Sequence, residues 1–245
     1  MPRPRRQMAL TAELVAGAYR MVEDAGPPPD TIRNTEADWD ATVQELLASR
    51  SDGQDVWLFA YGSLLWNPVV EHTEERLGVA RGWHRSFCMR MRTWRGTLEQ
   101  PGLMMGLDRG GQCKGVALRL ASETVEVQLG KLVRREMPMR PLGKRSTNVP
   151  RWIEVETAQG RLRAIAFVID RRGHIYAGKL TPDETADILA KACGHGGSCA
   201  EYLYSTILHL ENRGIRDRNL WRLQSLVARK IASKMAVSRD EHIAP

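Results

Sequence analysis

An α+β domain organised around a curved or barrel-like sheet is the fold class that this sequence predicts. Three observations carry the prediction. Strand patterns dominate residues 56–170, whereas capped helices fill the stretch after residue 181. No regular strand–helix–strand alternation links the two regions, which argues against a doubly wound parallel sheet. Gly-containing turns separate several of the strand segments.

The elements can be justified in chain order. Leu10, Leu14, Val15, Ala18 and Met21 recur at helical spacing, so an amphipathic helix is expected over residues 8–25. Gly26 and Pro27–Pro29 end it. A second helix is expected from Thr35 to about Ala48, with Asp38 as the capping-box partner of Thr35. The polar stretch SRSDGQD then sets residues 1–53 apart as an N-terminal helical extension. Residues 54–235 form the main domain in this reading, and 236–245 a C-terminal tail. The compact apolar run VWLFAY (56–61) reads as a buried strand ending in the turn signal Gly62-Ser63. Further strands are expected at 78–91, 113–120, 151–157 and 161–170. Ser122 caps an expected helix over 122–137. Thr181-Pro182-Asp183-Glu184 is a capping box with proline at the first helical position, and Ser198-Cys199-Ala200-Glu201 is a second such box. Gly214 closes the helix begun at Ser198, and a last helix runs from about Asp217 to Lys234.

Composition narrows the function classes. Apolar residues make up 42% of the 245 residues and charged residues 27%, as in an ordinary globular protein. No apolar run approaches the roughly 18 residues needed to span a bilayer. The basic start, Met-Pro-Arg-Pro-Arg-Arg, is followed by acids and by no clear cleavage site, so a cytoplasmic address is expected. Four cysteines (Cys88, Cys113, Cys193, Cys199) are too few for a disulfide scaffold and read as reduced, mostly buried thiols. The net charge of +7 permits phosphate binding, but the bases are spread along the chain without an accompanying nucleic-acid motif. A better use of the charge is attraction of an anionic small molecule.

Several chemical constellations are absent or fail on spacing. No G-x-S-x-G elbow surrounds Ser63, and no H-E-x-x-H, G-x-G-x-x-G or P-loop occurs. Cys193, His195 and Cys199 lack the paired spacing of a structural zinc site, and a Gly-rich turn between helices explains them. Trp83 and Trp94 flank a basic strand, where core packing is the expected use rather than base stacking.

One acid stands out. In the 122–137 helix the apolar positions Val125, Leu129, Leu132 and Val133 form a stripe, and Glu136 projects near its middle. Arg134 and Arg135 project elsewhere, towards solvent. Burial of a carboxylate raises its pKa unless hydrogen bonds or a cation offset the cost, which is how a Glu becomes a general base. A helix-end Glu paired with an Arg of a neighbouring strand satisfies the same periodicity. Position alone leaves both readings open.

Read together, several segments narrow the choice. VWLFAYGSLLWNP (56–68), RLGVARGWHRSFCMR (76–90), RGT (95–97), PG (101–102), KGVALRL (114–120), VRREM (133–137), VPRWIEV (149–155) and ACGHGGSCAEYL (192–203) occur in order. From about Asp55 to Lys234 the chain thereby resembles the ChaC family of γ-glutamyl cyclotransferases. The resemblance implies the γ-glutamyl cyclotransferase-like fold, a small barrel-like mixed sheet with flanking helices. It implies that Tyr61, Gly62, Ser63 and Leu64 wrap a γ-glutamyl group, and that Glu136 is the catalytic acid/base. It further implies that glutathione is cut into 5-oxoproline and Cys-Gly with no metal or organic cofactor, and that the partner is a small molecule rather than nucleic acid or membrane. The alternatives are a cyclotransferase for other γ-glutamyl amines or peptides, and a silent γ-glutamyl-binding protein. One departure from the family pattern is visible. After the REM-like motif the stretch PMRPLGKRSTN is longer and more basic than in typical relatives, and Asn148 stands where they carry a Tyr.

Overall fold

The structure, a computed structural model, describes residues 7–51 and 53–241. The basic residues before Gln7 and those after Glu241 lie outside the described residues. The chain divides into two compact units that do not follow the expected boundary near residue 53. One comprises Pro27–Met89 and Met105–Gly178; the other comprises Met1–Gly26, Arg90–Met104 and Lys179–Pro245.

The first unit is built on a closed five-stranded barrel. Its strands are β2 (Trp57–Ala60), β3 (His72–Met91), β4 (Gly102–Leu120), β6 (Asn148–Thr157) and β7 (Gly160–Ile169), in the order β2-β4-β3-β6-β7. β3 and β4 also contribute residues to the other unit. Strand β2 closes the barrel: it runs antiparallel to β4 (Trp57↔Arg119 to Ala60↔Val116) and parallel to β7 (Trp57↔Ala164, Leu58↔Ile165). That parallel pairing, with a second between β4 and β7 (Leu107↔Val168), makes the sheet mixed. β2 is buried at all four positions, so its sequence is continuously apolar rather than alternating. Phe59, Leu58, Ile165, Phe167, Leu107 and Leu120 fill the core. β3 extends back to His72 through a charged stretch that alternates in burial, and β4 extends back to Gly102 through the buried Leu103, Met105 and Leu107.

Two further elements lie in this unit. Helix α3 (Val125–Glu136) packs Leu129, Leu132 and Val133 inward. The expected Ser122 cap is replaced by a 3-10 turn over Ser122–Thr124, and Thr124 precedes α3 without a side-chain cap. The second part of the N-terminal extension is here too. Strand β1 (Thr31–Arg33) pairs antiparallel with β5 (Met139–Pro141), which lies inside the long basic stretch after α3. Neither three-residue strand has a run long enough to be read from sequence. Helix α2 (Glu36–Ala48) begins with the expected reciprocal Thr35–Asp38 capping box and buries Val43 and Leu46.

The other unit is helical. Helix α4 (Pro182–Lys191) starts at the Thr181–Glu184 capping box, as expected. Helix α5 (Cys199–Asn212) is capped by Ser198, whose Oγ accepts from the Glu201 N–H at 3.1 Å. The reciprocal half of that box is missing, because the Glu201 carboxylate is taken by Arg95. Helix α6 spans Arg218–Glu241, longer than expected, so the proposed tail boundary at 236 falls within a helix. The first helix, α1, covers only Ala12–Gly17 instead of 8–25. Tertiary partners take over the chain beyond it: the Arg20 guanidinium donates to the Lys191 carbonyl at 2.8 Å, and the Arg20 carbonyl accepts from Cys193 Sγ at 3.2 Å. Leu10 is fully buried, with its N–H donated to Gln224 Oε1 at 2.7 Å. Among the described residues no helix is long and apolar enough to cross a membrane.

Candidate active site

Glu136 is the last residue of α3, one turn beyond the buried Leu132 and Val133. Its carboxyl lies deep in protein, and burial pushes its pKa up against the opposing pull of Arg135 and of a hydrogen bond from Asn148. The Glu136 side chain as a whole keeps 19% exposure. Desolvation strengthens a carboxylate as a proton acceptor.

Arg135 differs from the sequence expectation. It does not extend freely into solvent but turns back, with Nε 3.5 Å from Glu136 Oε1 and a terminal nitrogen donating to the carbonyl of Asn67. Asn67 sits at the end of the loop that follows β2, so Arg135 joins Glu136, by an ion pair, to that loop, by a hydrogen bond. Periodicity could not reveal this, because Arg135 lies off the apolar stripe and its partners are fixed by the tertiary fold. Asn148, at the start of β6, faces the same carboxyl. Its side-chain N–H also points to the Glu136 main-chain carbonyl at 3.5 Å, and its buried Oδ1 has no protein partner.

The loop itself is a 3-10 turn, Ser63–Leu65, closed by Leu65 N–H to Gly62 O at 3.0 Å and Asn67 N–H to Ser63 O at 2.8 Å. As at the start of any helical turn, its leading N–H groups have no partner within the turn. The four loop residues have different surroundings. Tyr61 is 7% exposed, its hydroxyl donates to the Phe167 carbonyl at 2.7 Å, and its own carbonyl accepts from Arg85 Nε at 2.7 Å. The Tyr61 side chain is therefore a strut across the barrel. Leu64 is buried, while Ser63 is the half-exposed member of the turn. The loop is fastened to α3 from a second side, since the buried Gln128 accepts from the Glu71 N–H at 3.0 Å.

The constellations set aside on sequence grounds can now be placed. Cys199 Sγ points to the carbonyl of Arg95 at 3.1 Å, and His195 stacks edge-on to Trp94 with ring centroids 5.1 Å apart. Among the described residues no group of three or more His, Cys, Asp or Glu is arranged to hold a metal ion. All four cysteines are buried and none is in a disulfide. Trp94 departs from its expected core role: it is 51% exposed, with φ at +64°.

Fold and site together define a small α+β barrel protein with a recessed, desolvated carboxylate tied by an arginine to a Gly-Ser loop, the setting of a proton-transfer site. The chain belongs to the ChaC-like protein family, whose model matches residues 56–230. It is 40% identical over 181 residues to a glutathione-specific γ-glutamylcyclotransferase of Escherichia coli K12, covering 74% of this chain and 76% of that protein. It is 33% identical over 159 residues to glutathione-specific γ-glutamylcyclotransferase 1 of Homo sapiens, covering 63% and 70% of the two chains. The fold matches the crystal structure of a yeast γ-glutamyl cyclotransferase specific to glutathione, with a TM-score of 0.64 at 20% identity over 72% of this chain and 97% of that one.

Proposed function

We propose that this protein cleaves glutathione into 5-oxoproline and Cys-Gly, with Glu136 as general acid/base. The observation that carries the reading is the desolvated Glu136 carboxyl, paired with Arg135, which in turn donates to the Asn67 carbonyl just beyond the Tyr61–Leu64 turn. The named relatives supply the substrate.

The chemistry follows from the substrate's own groups. Its α-amine loses a proton and attacks the γ-carbonyl, forming a C–N bond that closes a five-membered lactam. The C–N bond to the cysteine then breaks, and the departing amine takes up a proton. Because nucleophile and electrophile belong to one molecule, the site has to hold a bent conformer rather than assemble two reactants. Glu136 accepts the ammonium proton and returns one to the leaving amine. Gly62, Ser63 and Leu64 supply the turn for the γ-glutamyl end, with Ser63 its accessible member. The proposed setting is the cytoplasm, where cysteines outside disulfides persist as thiols.

A second reading, a cyclotransferase for other γ-glutamyl amines or peptides, is favoured by the long stretch that carries β5 and by Asn148 beside Glu136. One experiment separates these readings. Purified protein is incubated with glutathione, a panel of γ-glutamyl dipeptides and N-acetylated glutathione, and products are followed by mass spectrometry. The expected result is 5-oxoproline from glutathione and no reaction of the N-acetylated form. Cys-Gly released from N-acetylated glutathione would identify water as the attacker, and preferential turnover of other γ-glutamyl compounds would replace glutathione as substrate.

A further inference from the structure

The end of α3 has no cap of its own. Helices that end cleanly often place glycine in the left-handed region just past the last turn, but here the sequence runs Arg135-Glu136-Met137-Pro138. Pro138 cannot continue the helix. Met137 closes it by donating its N–H to Val133 O at 2.8 Å, which leaves the Met137 carbonyl to be satisfied from outside. Two donors reach that carbonyl from the N-terminal extension: Asn34 Nδ2 at 2.9 Å and Trp39 Nε1 at 2.8 Å.

The same segment grips the chain on both sides of this point. Downstream, the Asn34 N–H donates to Pro138 O at 3.0 Å, and β1 then pairs residue by residue with β5 from Arg33↔Met139 to Thr31↔Pro141. Upstream, Arg134 pairs with Glu36 and lies over the Trp39 ring, 5.4 Å from its centroid. Every residue from Arg134 to Pro141 except Arg135 and Glu136 is thus held within one residue by the extension. Those two are left to face the loop and Asn148.

We propose that Asn34 and Trp39 are positioning residues for Glu136, their paired donors to the Met137 carbonyl fixing the turn from which the carboxyl projects. The inference rests on the reading of Glu136 as the proton-transfer group. Its physical basis is that a displacement of about 1 Å in a catalytic group can cost about 10²-fold in rate. A side chain on an uncapped last turn, followed by a three-residue strand, is free to move that far unless tertiary bonds hold it. Arg135 is the charged group facing the carboxyl. Arg134 pairs with Glu36 and Asp40 and lies over the Trp39 ring, and the phenyl ring of a Trp39→Phe variant keeps an aromatic face for it.

The test uses the full-length protein with Trp39→Phe, which keeps an aromatic face and loses the donor, and with the double variant Asn34→Ala/Trp39→Phe. Turnover, KM for glutathione and the pH profile of kcat/KM are measured well below each variant's melting temperature, beside Glu136→Gln. The expected result is a fall in kcat of roughly 10–10²-fold in the double variant, with KM within about threefold. The acidic limb should also move to lower pH, because a loosened carboxyl gains water and its raised pKa relaxes. A merely structural role lowers the melting temperature but leaves kcat and the acidic limb within about twofold of the parent, and that result overturns the inference. If Glu136→Gln itself retains turnover, the assignment of the base fails and the positioning role with it. If Glu136→Gln is inactive while both brace variants behave like the parent, only the positioning role fails.

Discussion

Replacing Glu136 by Gln separates catalysis from architecture because the two roles predict opposite pairs of results. As a base, Glu136 supplies general acid–base catalysis, whose loss costs roughly 10²–10⁴-fold in turnover, or about 2.7–5.4 kcal/mol of barrier. The stability side is worked from the geometry. At 3.5 Å the attraction between Arg135 and Glu136 is about 5 kcal/mol in an effective dielectric of about 20. Burial nevertheless outweighs it, since the pKa of Glu136 is displaced upward from 4.5. A carboxyl whose folded pKa is raised contributes stability that is present below its unfolded pKa and lost as pH rises through its folded pKa. Above the unfolded carboxylate pKa the buried carboxyl is therefore a liability that the amide removes. Arg135 keeps its bond to the Asn67 carbonyl in the variant, so no cation is orphaned. Melting curves at pH 4 and pH 7.5, with 5-oxoproline release from the same preparation, provide the assay. The expected melting temperature is equal to or above the parent's at pH 7.5, with the difference shrinking towards pH 4. Turnover within a few-fold of the parent, or a stability loss of the roughly 3–5 kcal/mol that follows a broken buried ion pair, would refute the reasoning.

Two other outcomes follow from the same packing. A chain beginning at Gly53 lacks the N-terminal extension, and the loss of Leu10, Val43 and Leu46 removes three buried side chains worth about 1.5–3 kcal/mol each, against a total stability of about 5–15 kcal/mol. Such a chain should be largely insoluble or molten, by soluble yield and near-UV circular dichroism, and should release little 5-oxoproline; a folded and active product would show the extension to be dispensable. Asn148→Leu removes a hydrogen bond that favours the ionised carboxyl, so the acidic limb of kcat/KM should move to higher pH and kcat should fall. An unmoved limb would mean that Asn148 does not touch the titrating group.

Much of the barrel unit was legible because its signals are local. The continuous apolar runs of β2 and β7, the alternation in β6, and the apolar stripe of α3 each reflect burial of one element against whatever lies beside it. Both reciprocal capping boxes that formed, at Thr35 and Thr181, involve side chains three residues apart, and the distant Arg140, at 3.6 Å from Asp38 Oδ2, leaves the box at Thr35 intact. At Ser198 a distant group does compete, and Arg95 takes the glutamate that local spacing assigned to the cap. The short α1 fails for the same reason, since Arg20 and its carbonyl are claimed by Lys191 and Cys193.

The sequence by itself determined the fold class, the place of Glu136 on the buried side of a helix end, and the Gly-Ser turn after a buried strand, because period and turn chemistry are properties of neighbouring residues. Tertiary structure alone decided what surrounds that carboxyl. Arg135 binds a loop 68 residues earlier, Asn148 approaches from 12 residues later, and Asn34 and Trp39 hold the next peptide from about 100 residues upstream. A hydrogen bond between such partners depends on the path of the whole chain, and no periodicity in any one segment records it.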